Sequence, residues 1–353
     1  DEDYSFRRNN VFDVVRDECI AVRERVGVLD LSGFAKYDVS GPNARAFLDR
    51  LPPNKVPGRD GRIVLAHFLS KNGRIAGEVT VTRFAEDRYY LLSAAGAELR
   101  DLDHLLQGRN DGEDVKVDNV TDERGVLVLA GPRSRDVLSS LTDAPLDNTA
   151  FPWLTGQEIE IAGVPVRALR VNYVGELGWE LHPRMQDHET LYDAVWKAGE
   201  AHGIADFGLY AVNSLRIEKA YRGWGDKLTN EVTMLEADMQ RFLKLDKDDF
   251  VGRDATLAQK DDERRFQLIY FEVDATDTDV RGAEPIFYGE RCIGITTSGG
   301  YGHAVQKSLG MGYVPPGKAK PGNELSIGLN GERCRAVVLK YPAYDPHNER
   351  LRA

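Results

Sequence analysis

Two stretches, YDVSGPNARAFLDRL at residues 37–51 and VLAGPRSRDVLSSL at residues 128–141, decide how this chain folds. Each runs from an apolar strand into a Gly-Pro turn, at 41–42 or 131–132. A helix follows, with an arginine four positions after the glycine, Arg45 or Arg135. Proline suits the first helical turn because the N–H it lacks would have no partner there. Two matching units predict an internal duplication of an α+β module. Ahead of the first, residues 10–26 space Val14, Val15, Ile20, Val22 and Val26 as an amphipathic helix does. Between the units, residues 73–84 and 87–96 read as strands and 97–107 as a helix. After the second, residues 156–181 read as antiparallel strands turning at Ala162 and Gly163. Residues 188–203 and 210–221 read as helices, the first closed by glycine. The charge-rich stretch 246–265 is a bridge. From about residue 265 short strands separated by turn signals predict an all-β C-terminal unit, a small barrel.

Composition narrows the function. A length of 353 residues predicts two or three domains, and a net charge of −11 excludes broad phosphate-backbone binding, so no nucleic-acid partner is expected. Cys19, Cys292 and Cys334 lie far apart with no CxxC or Cys/His spacing, which reads as reduced thiols with neither disulfide nor metal site. No apolar run approaches the roughly 18 residues of a membrane span, and DEDYSFRRNN does not resemble a signal peptide. A cytoplasmic protein with no membrane partner is expected. The chain lacks an initiator methionine, so it reads as trimmed or as a piece of a longer polypeptide. GxGxxG after a strand, GxxxxGK[ST], HExxH and GxSxG are all absent, which leaves dinucleotide, P-loop, zincin and serine-hydrolase readings without support.

The candidate chemistry starts at NYVGELGWELHP, residues 172–183, where Glu176 and Glu180 sit on a backbone punctuated by Gly175 and Gly178. In a regular strand residues four apart share a face, whereas a bulge at the glycines would separate them. Such glycines mark a turn or a close approach to the backbone. Tyr173, Trp179 and, nearby, Trp153 offer aromatic faces, and a carboxylate beside aromatics can take two ring N–H donors at once. From these residues alone, a ligand pocket and a structured bulge fit equally well. Glu78 shares a strand face with Thr80 and Thr82 and, taken alone, reads as a solvated position. SGGYGH at 298–303 opens no helix and reads as a β-turn rather than a phosphate cradle.

Together with residues 6–42, 208–229, 235–255, 294–314 and 344–352, the 172–183 stretch resembles the folate-binding aminomethyltransferase family, that of the glycine cleavage T-protein. The likeness is strongest to the branch forming the C-terminal folate half of dimethylglycine and sarcosine dehydrogenases. The resemblance runs collinearly along essentially the whole chain. It implies an α+β fold with two related ferredoxin-like α+β domains and a small C-terminal β-barrel, three domains around a central folate-binding hole. The boundaries it implies are 1–32 with 119–255 for the discontinuous folate-binding domain, 33–118 for the second domain and 256–353 for the barrel.

On the family's YxGExGxE motif, Glu180 matches the acid that pairs with the pterin and Tyr173 the aromatic. Trp153 falls where a pterin-side tyrosine is usual. Glu78 falls on the family's catalytic aspartate, one methylene longer. Val212 replaces an arginine, which argues for the dehydrogenase-linked branch rather than a lipoyl-dependent protein. Met234 and Asp238 replace a proline and a glycine. Arg216 and Glu218 are retained, as an ion pair anchoring the helix or as ligand groups. The implied function is a tetrahydrofolate-dependent one-carbon transferase. It would accept the methylene of an oxidised N-methylated amino acid, with a flavin-dependent oxidoreductase domain or subunit as partner and no FAD in this chain. The alternatives are a direct demethylase giving 5-methyltetrahydrofolate and a non-catalytic regulatory homologue.

Overall fold

The computed structural model describes residues 2–225, 228–260 and 264–353. Residues 261–263 of the charged bridge thus lie outside the described set. The chain opens with α1 (Phe12–Glu24) and β1 (Val26–Asp30). A first module follows: β2 (Ala35–Ser40), α2 (Ala44–Arg50), β3 (Ile63–Leu69), β4 (Ile75–Ala85), β5 (Arg88–Ser93), α3 (Glu98–Gln107) and β6 (Lys116–Asn119). The second repeats the succession: β7 (Leu127–Ala130), α4 (Ser134–Ser139), β8 (Gly156–Ile161), β9 (Val164–Leu169), β10 (Gly178–His182) and α5 (His188–Gly199). After β11 (Ile204–Asp206), α6 (Leu209–Glu218) and α7 (Arg253–Ala258) come β12 (Gln267–Val273), β13 (Pro285–Tyr288), β14 (Arg291–Gly302), β15 (Lys307–Val314), β16 (Glu324–Leu329) and β17 (Glu332–Val338).

The duplication extends to sheet order. One sheet runs β3-β4-β5-β2-β6 and the other β8-β9-β10-β7-β1-β11. Strand for strand, β8, β9, β10 and β7 take the places of β3, β4, β5 and β2. The place of β6 is taken by β1, which enters from ahead of the first module and pairs antiparallel with β7, Gly27 opposite Ala130. The Gly-Pro elbows match atom for atom. Ala44 N–H bonds Gly41 O and Ser134 N–H bonds Gly131 O, both at 3.0 Å. Asn43 N–H reaches Asp114 O (3.3 Å) before β6, as Arg133 N–H reaches Arg25 O (2.9 Å) before β1. Both glycines have left-handed φ, +121° and +132°, and a Cβ at Gly131 would sit 2.5 Å from Arg25 O. Only glycine admits that conformation and that approach.

Each sheet buries one face under its helices. Phe47, Leu48 and Leu105 cover Val79 and Val81 in the first module, while Val137, Leu191 and Val195 cover Trp179 and Leu181 in the second. The modules join edge to edge, with Gly156 N–H bonding Gly61 O (2.7 Å) and Ile63 N–H bonding Leu154 O (3.0 Å). The Arg167 guanidinium also grips the Asp38 carboxylate at 2.6 and 3.2 Å. The six C-terminal strands close into a barrel in the order β12-β15-β14-β13-β16-β17, completing a three-domain α+β arrangement.

Two expectations are corrected. SGGYGH is not a turn, since residues 298–302 lie within β14. Its glycines let α6 lie on the strand, where Asn213 Nδ2 donates to Gly299 O at 2.9 Å and a Cβ at Gly300 would meet Asn213. Gly175 and Gly178 do mark close approaches, but what approaches is the protein itself and not a ligand. A Cβ at the first would strike the Lys219 side chain, and at the second the backbone of Leu129 and Ala130. No helix among the described residues is long and apolar enough to cross a membrane.

Candidate functional site

A cavity of about 1180 Å³ is lined from all three bodies. The first module supplies Glu78 and Thr80, the second Trp153, Tyr173 and Glu180, and the barrel strand β12 supplies Tyr270. The C-terminal tail adds Tyr341 and Leu351. All four side chains expected from sequence thus face one space.

Alternation along β10 sets Glu180 apart from its neighbours. Trp179 and Leu181 point into the core with 0 % exposure, so Trp179 offers no aromatic face to a ligand and packs edge-on to Phe151 instead. Glu180 points the opposite way, its side chain 18 % exposed. Burial pushes its carboxyl up to about 8. Among the described residues the neighbour in ion-pair range is His182 Nε2, at 3.6 Å. That histidine is itself uncharged, because burial, with Lys36, Arg124 and Arg167 around it, holds it well below its usual value. Tyr90 Oη lies 3.1 Å from His182 Nδ1. Burial keeps that phenol protonated, so the phenol donates and the ring proton sits on Nε2, towards Glu180. A buried carboxyl without a cation is costly unless something with N–H groups meets it.

The strand begins only at Gly178, so Glu176 lies off it in the 171–177 loop and the two acids part company. Glu176 is 1 % exposed and fully engaged: Arg23 Nη1 at 3.1 Å, Arg350 Nε at 2.8 Å and Tyr344 O–H at 2.7 Å all donate to it. Tyr173, in the same loop, stacks on Tyr221 with ring centroids 5.7 Å apart. Trp153 carries the Arg352 guanidinium 5.0 Å from its ring centroid.

Glu78 is not a solvated strand position. It lies directly opposite His67 in the β3–β4 pairing, and its Oε2 is 2.9 Å from His67 Nε2. Thr82 on the same face is fully buried. The retained acid Glu218 takes its cation from α1, with Arg23 Nη2 at 2.7 Å. Arg216 instead lines the cavity and bonds Asn213 Oδ1 (3.0 Å) and Ser298 Oγ (3.1 Å). Asp238 adopts φ +56°, a conformation natural to glycine, and bonds Arg222 at 2.9 Å, while Met234 fills core. Sequence reading missed His67, His182 and Tyr90. The run IVLAHFL does not alternate, so nothing in it marked β3 or which way His67 points.

Comparison with known proteins gives two family matches, the GCVT N-terminal domain over residues 2–247 and the glycine cleavage T-protein C-terminal barrel domain over 267–345. The chain is 39% identical over 340 residues to the mitochondrial dimethylglycine dehydrogenase of Mus musculus, covering 96% of this chain and 39% of that protein. It therefore spans about two fifths of the length of such relatives. It is 29% identical to an aminomethyltransferase of Natranaerobius thermophilus, covering 94% of this chain and 91% of that one. In structure it superposes on glycine cleavage system aminomethyltransferase T from Bartonella henselae with a TM-score of 0.86 at 24% identity, over 98% of this chain and 94% of that chain, a likeness of fold.

Proposed function

Because this chain belongs to the glycine cleavage T-protein family of folate-dependent aminomethyltransferases, we propose that it moves the methylene of an oxidised N-methylated amino acid, of dimethylglycine or sarcosine type, onto tetrahydrofolate to give 5,10-methylenetetrahydrofolate. The observation that carries this reading is Glu180, a largely buried carboxyl facing a large cavity with no cation against it among the described residues. A pterin ring presents two adjacent N–H donors, and the carboxylate is the acceptor that matches them. Tyr173, stacked on Tyr221, and Trp153 supply flat apolar faces for the ring. At about 1180 Å³ the cavity slightly exceeds the usual range of small-molecule sites, which run to roughly 1,000 Å³, and so has room for a long ligand.

Tetrahydrofolate, when bound, supplies the nucleophilic nitrogens and carries the carbon. Glu180 ionises to accept the pterin N–H groups and so fixes the ring. Glu78, across the cavity wall on the other module, would accept the proton that the first folate nitrogen sheds on attacking the iminium carbon and return it to the departing amine, which would also carry off, as an ammonium, the proton released when the second nitrogen closes the ring. Its negative charge favours the cationic iminium nearby. We assign production of the iminium to a flavin-dependent oxidoreductase domain or subunit, with no flavin step in this chain.

The test is calorimetric titration with tetrahydrofolate, paired with turnover of the iminium formed in situ from formaldehyde and N-methylglycine, read above the chain-free background. Glu180→Gln should lose roughly 10- to 100-fold in affinity, the worth of a hydrogen-bonded charge. Glu78→Gln should bind within about twofold yet turn over at least about 100-fold more slowly. Equal affinity in all three proteins would sink the pocket assignment, and 5-methyltetrahydrofolate as product would replace methylene transfer by direct demethylation.

A further inference from the structure

Behind the wall of the cavity, and not part of its lining, lies the imidazole of His67. It occupies the register position opposite Glu78 on the antiparallel β3–β4 pair, so both side chains leave the sheet on one face. It is 0 % exposed and lies beneath Phe242, ring centroids 5.1 Å apart, with Phe242 and Glu78 between it and the open space. Its Nε2 is 2.9 Å from Glu78 Oε2, while its Nδ1 is buried with no hydrogen-bond partner among the described residues. A carboxylate only accepts, so the Nε2 proton is the one shared. Glu78 Oε1, for its part, has no hydrogen-bond partner among the described residues.

We propose that His67 is a positioning residue for the one-carbon transfer, gripping Glu78 through Oε2 from the protein side so that Oε1 is held ready for the reacting nitrogen. The inference rests on the reading of Glu78 as the proton acceptor. Three features carry it. A glutamate side chain has three rotatable bonds, and one at a cavity wall samples several rotamers unless something fixes it. A proton acceptor works only within hydrogen-bond reach of its proton, so a displacement of about 1 Å can cost on the order of 100-fold in rate. And a buried histidine with one nitrogen unpaired among the described residues is a worse core residue than leucine, which leaves no polar atom behind. Packing alone therefore does not account for the ring, whereas its grip on Glu78 does.

The experiment measures tetrahydrofolate affinity and iminium turnover for His67→Leu, His67→Gln, Glu78→Gln and the double variant His67→Leu/Glu78→Gln. His67→Leu should keep its folate affinity within about threefold and lose roughly 10- to 100-fold in kcat. His67→Gln, whose amide N–H reaches about as far as Nε2, should recover most of that loss. In the Glu78→Gln background His67→Leu should cost nothing further, because the group it serves is gone. An equal kcat loss in both backgrounds, or a matching loss of folate affinity, would show a purely structural role and overturn the proposal. If His67→Leu does not fold, His67→Gln decides: turnover near wild type supports the donor role, and a loss as deep as that of Glu78→Gln overturns it. Normal turnover in His67→Leu beside a dead Glu78→Gln would overturn this inference alone. Normal turnover in Glu78→Gln would instead remove the proton-acceptor reading on which it rests.

Discussion

In its proposed role, Glu180 would serve binding at the expense of the empty protein. Its carboxyl sits at about 8 because burial disfavours the charged form. At pH 7 such a group is mostly protonated, so accepting two pterin N–H bonds as a carboxylate would expel most of a proton per folate. Titrations in buffers of different ionisation enthalpy should show this release, shrinking as pH rises past 8. Absence of release at pH 7 would remove Glu180 from the contact. The same shift sets a stability trend. The folded pKa lies above the ordinary 4.5, so between pH 5 and 8 the folded ligand-free chain holds a proton that the unfolded chain has shed. Stability from this group is therefore present at low pH and lost as pH rises through 8. Relative to pH 5, the Tm of Glu180→Gln should gain on wild type by pH 9; a constant gap would contradict the shift. At this scale the motif around residue 180 exposed the acid and its aromatic companion Tyr173. Which of the other groups faced inward was not legible. Trp179 and Glu180 are adjacent yet go to opposite faces, and the sorting depended on where the strand began.

Among elements, the Gly-Pro elbows do the most to fix the fold. Their punctuation is visible in the sequence because φ > 0 and close backbone approach leave glycine little competition. Gly131→Ala should cost about 3 kcal/mol, combining left-handed strain with a collision against Arg25 O. Gly163→Ala has a similar need for positive φ, +79°, in the β8–β9 hairpin but nothing within 4 Å, and should cost only about 1 kcal/mol. Urea unfolding of the pair separates conformation from contact; equal losses would mean the elbow has room to relax. Sequence reading did not find β1, β3, β6 and β11. β3, β6 and β11 lie at sheet margins, β1 follows directly on a helix, and none alternates cleanly. β1, β6 and β11 are specified by pairing to distant strands, which no local window contains, whereas β3 pairs with β4 just across a turn. The same reasoning applies to SGGYGH, whose glycines answer to the packing of α6 rather than to a turn.

At the scale of the whole molecule, Arg23 of α1 ties the N-terminal helix to the bulge acid Glu176 and the α6 acid Glu218, while Arg350 and Tyr344 bring in the tail. Arg23→Leu would leave the buried Glu218 without its cation and Glu176 with Arg350 alone, and should cost about 3–5 kcal/mol. Folate affinity should fall with it, since the 171–177 loop carries Tyr173. Arg350→Leu, at a more exposed cation, should cost less. Urea unfolding and calorimetry check both, and a larger loss from Arg350→Leu would reverse the ranking. The duplicated modules and late barrel were legible from sequence, whereas this knot, which joins residues 23, 176, 218 and 350, was not. The substitution of β1 for the missing counterpart of β6 governs how the chain can come off the ribosome. The first module closes on itself with β6 and is free to form early. β1 emerges before it and must wait, its apolar face unpartnered, until β7 has been made, because loop closure over that span precedes any gain from pairing. Removing the segment that carries β1 would strip not the neighbouring module but the distant one that holds Glu180.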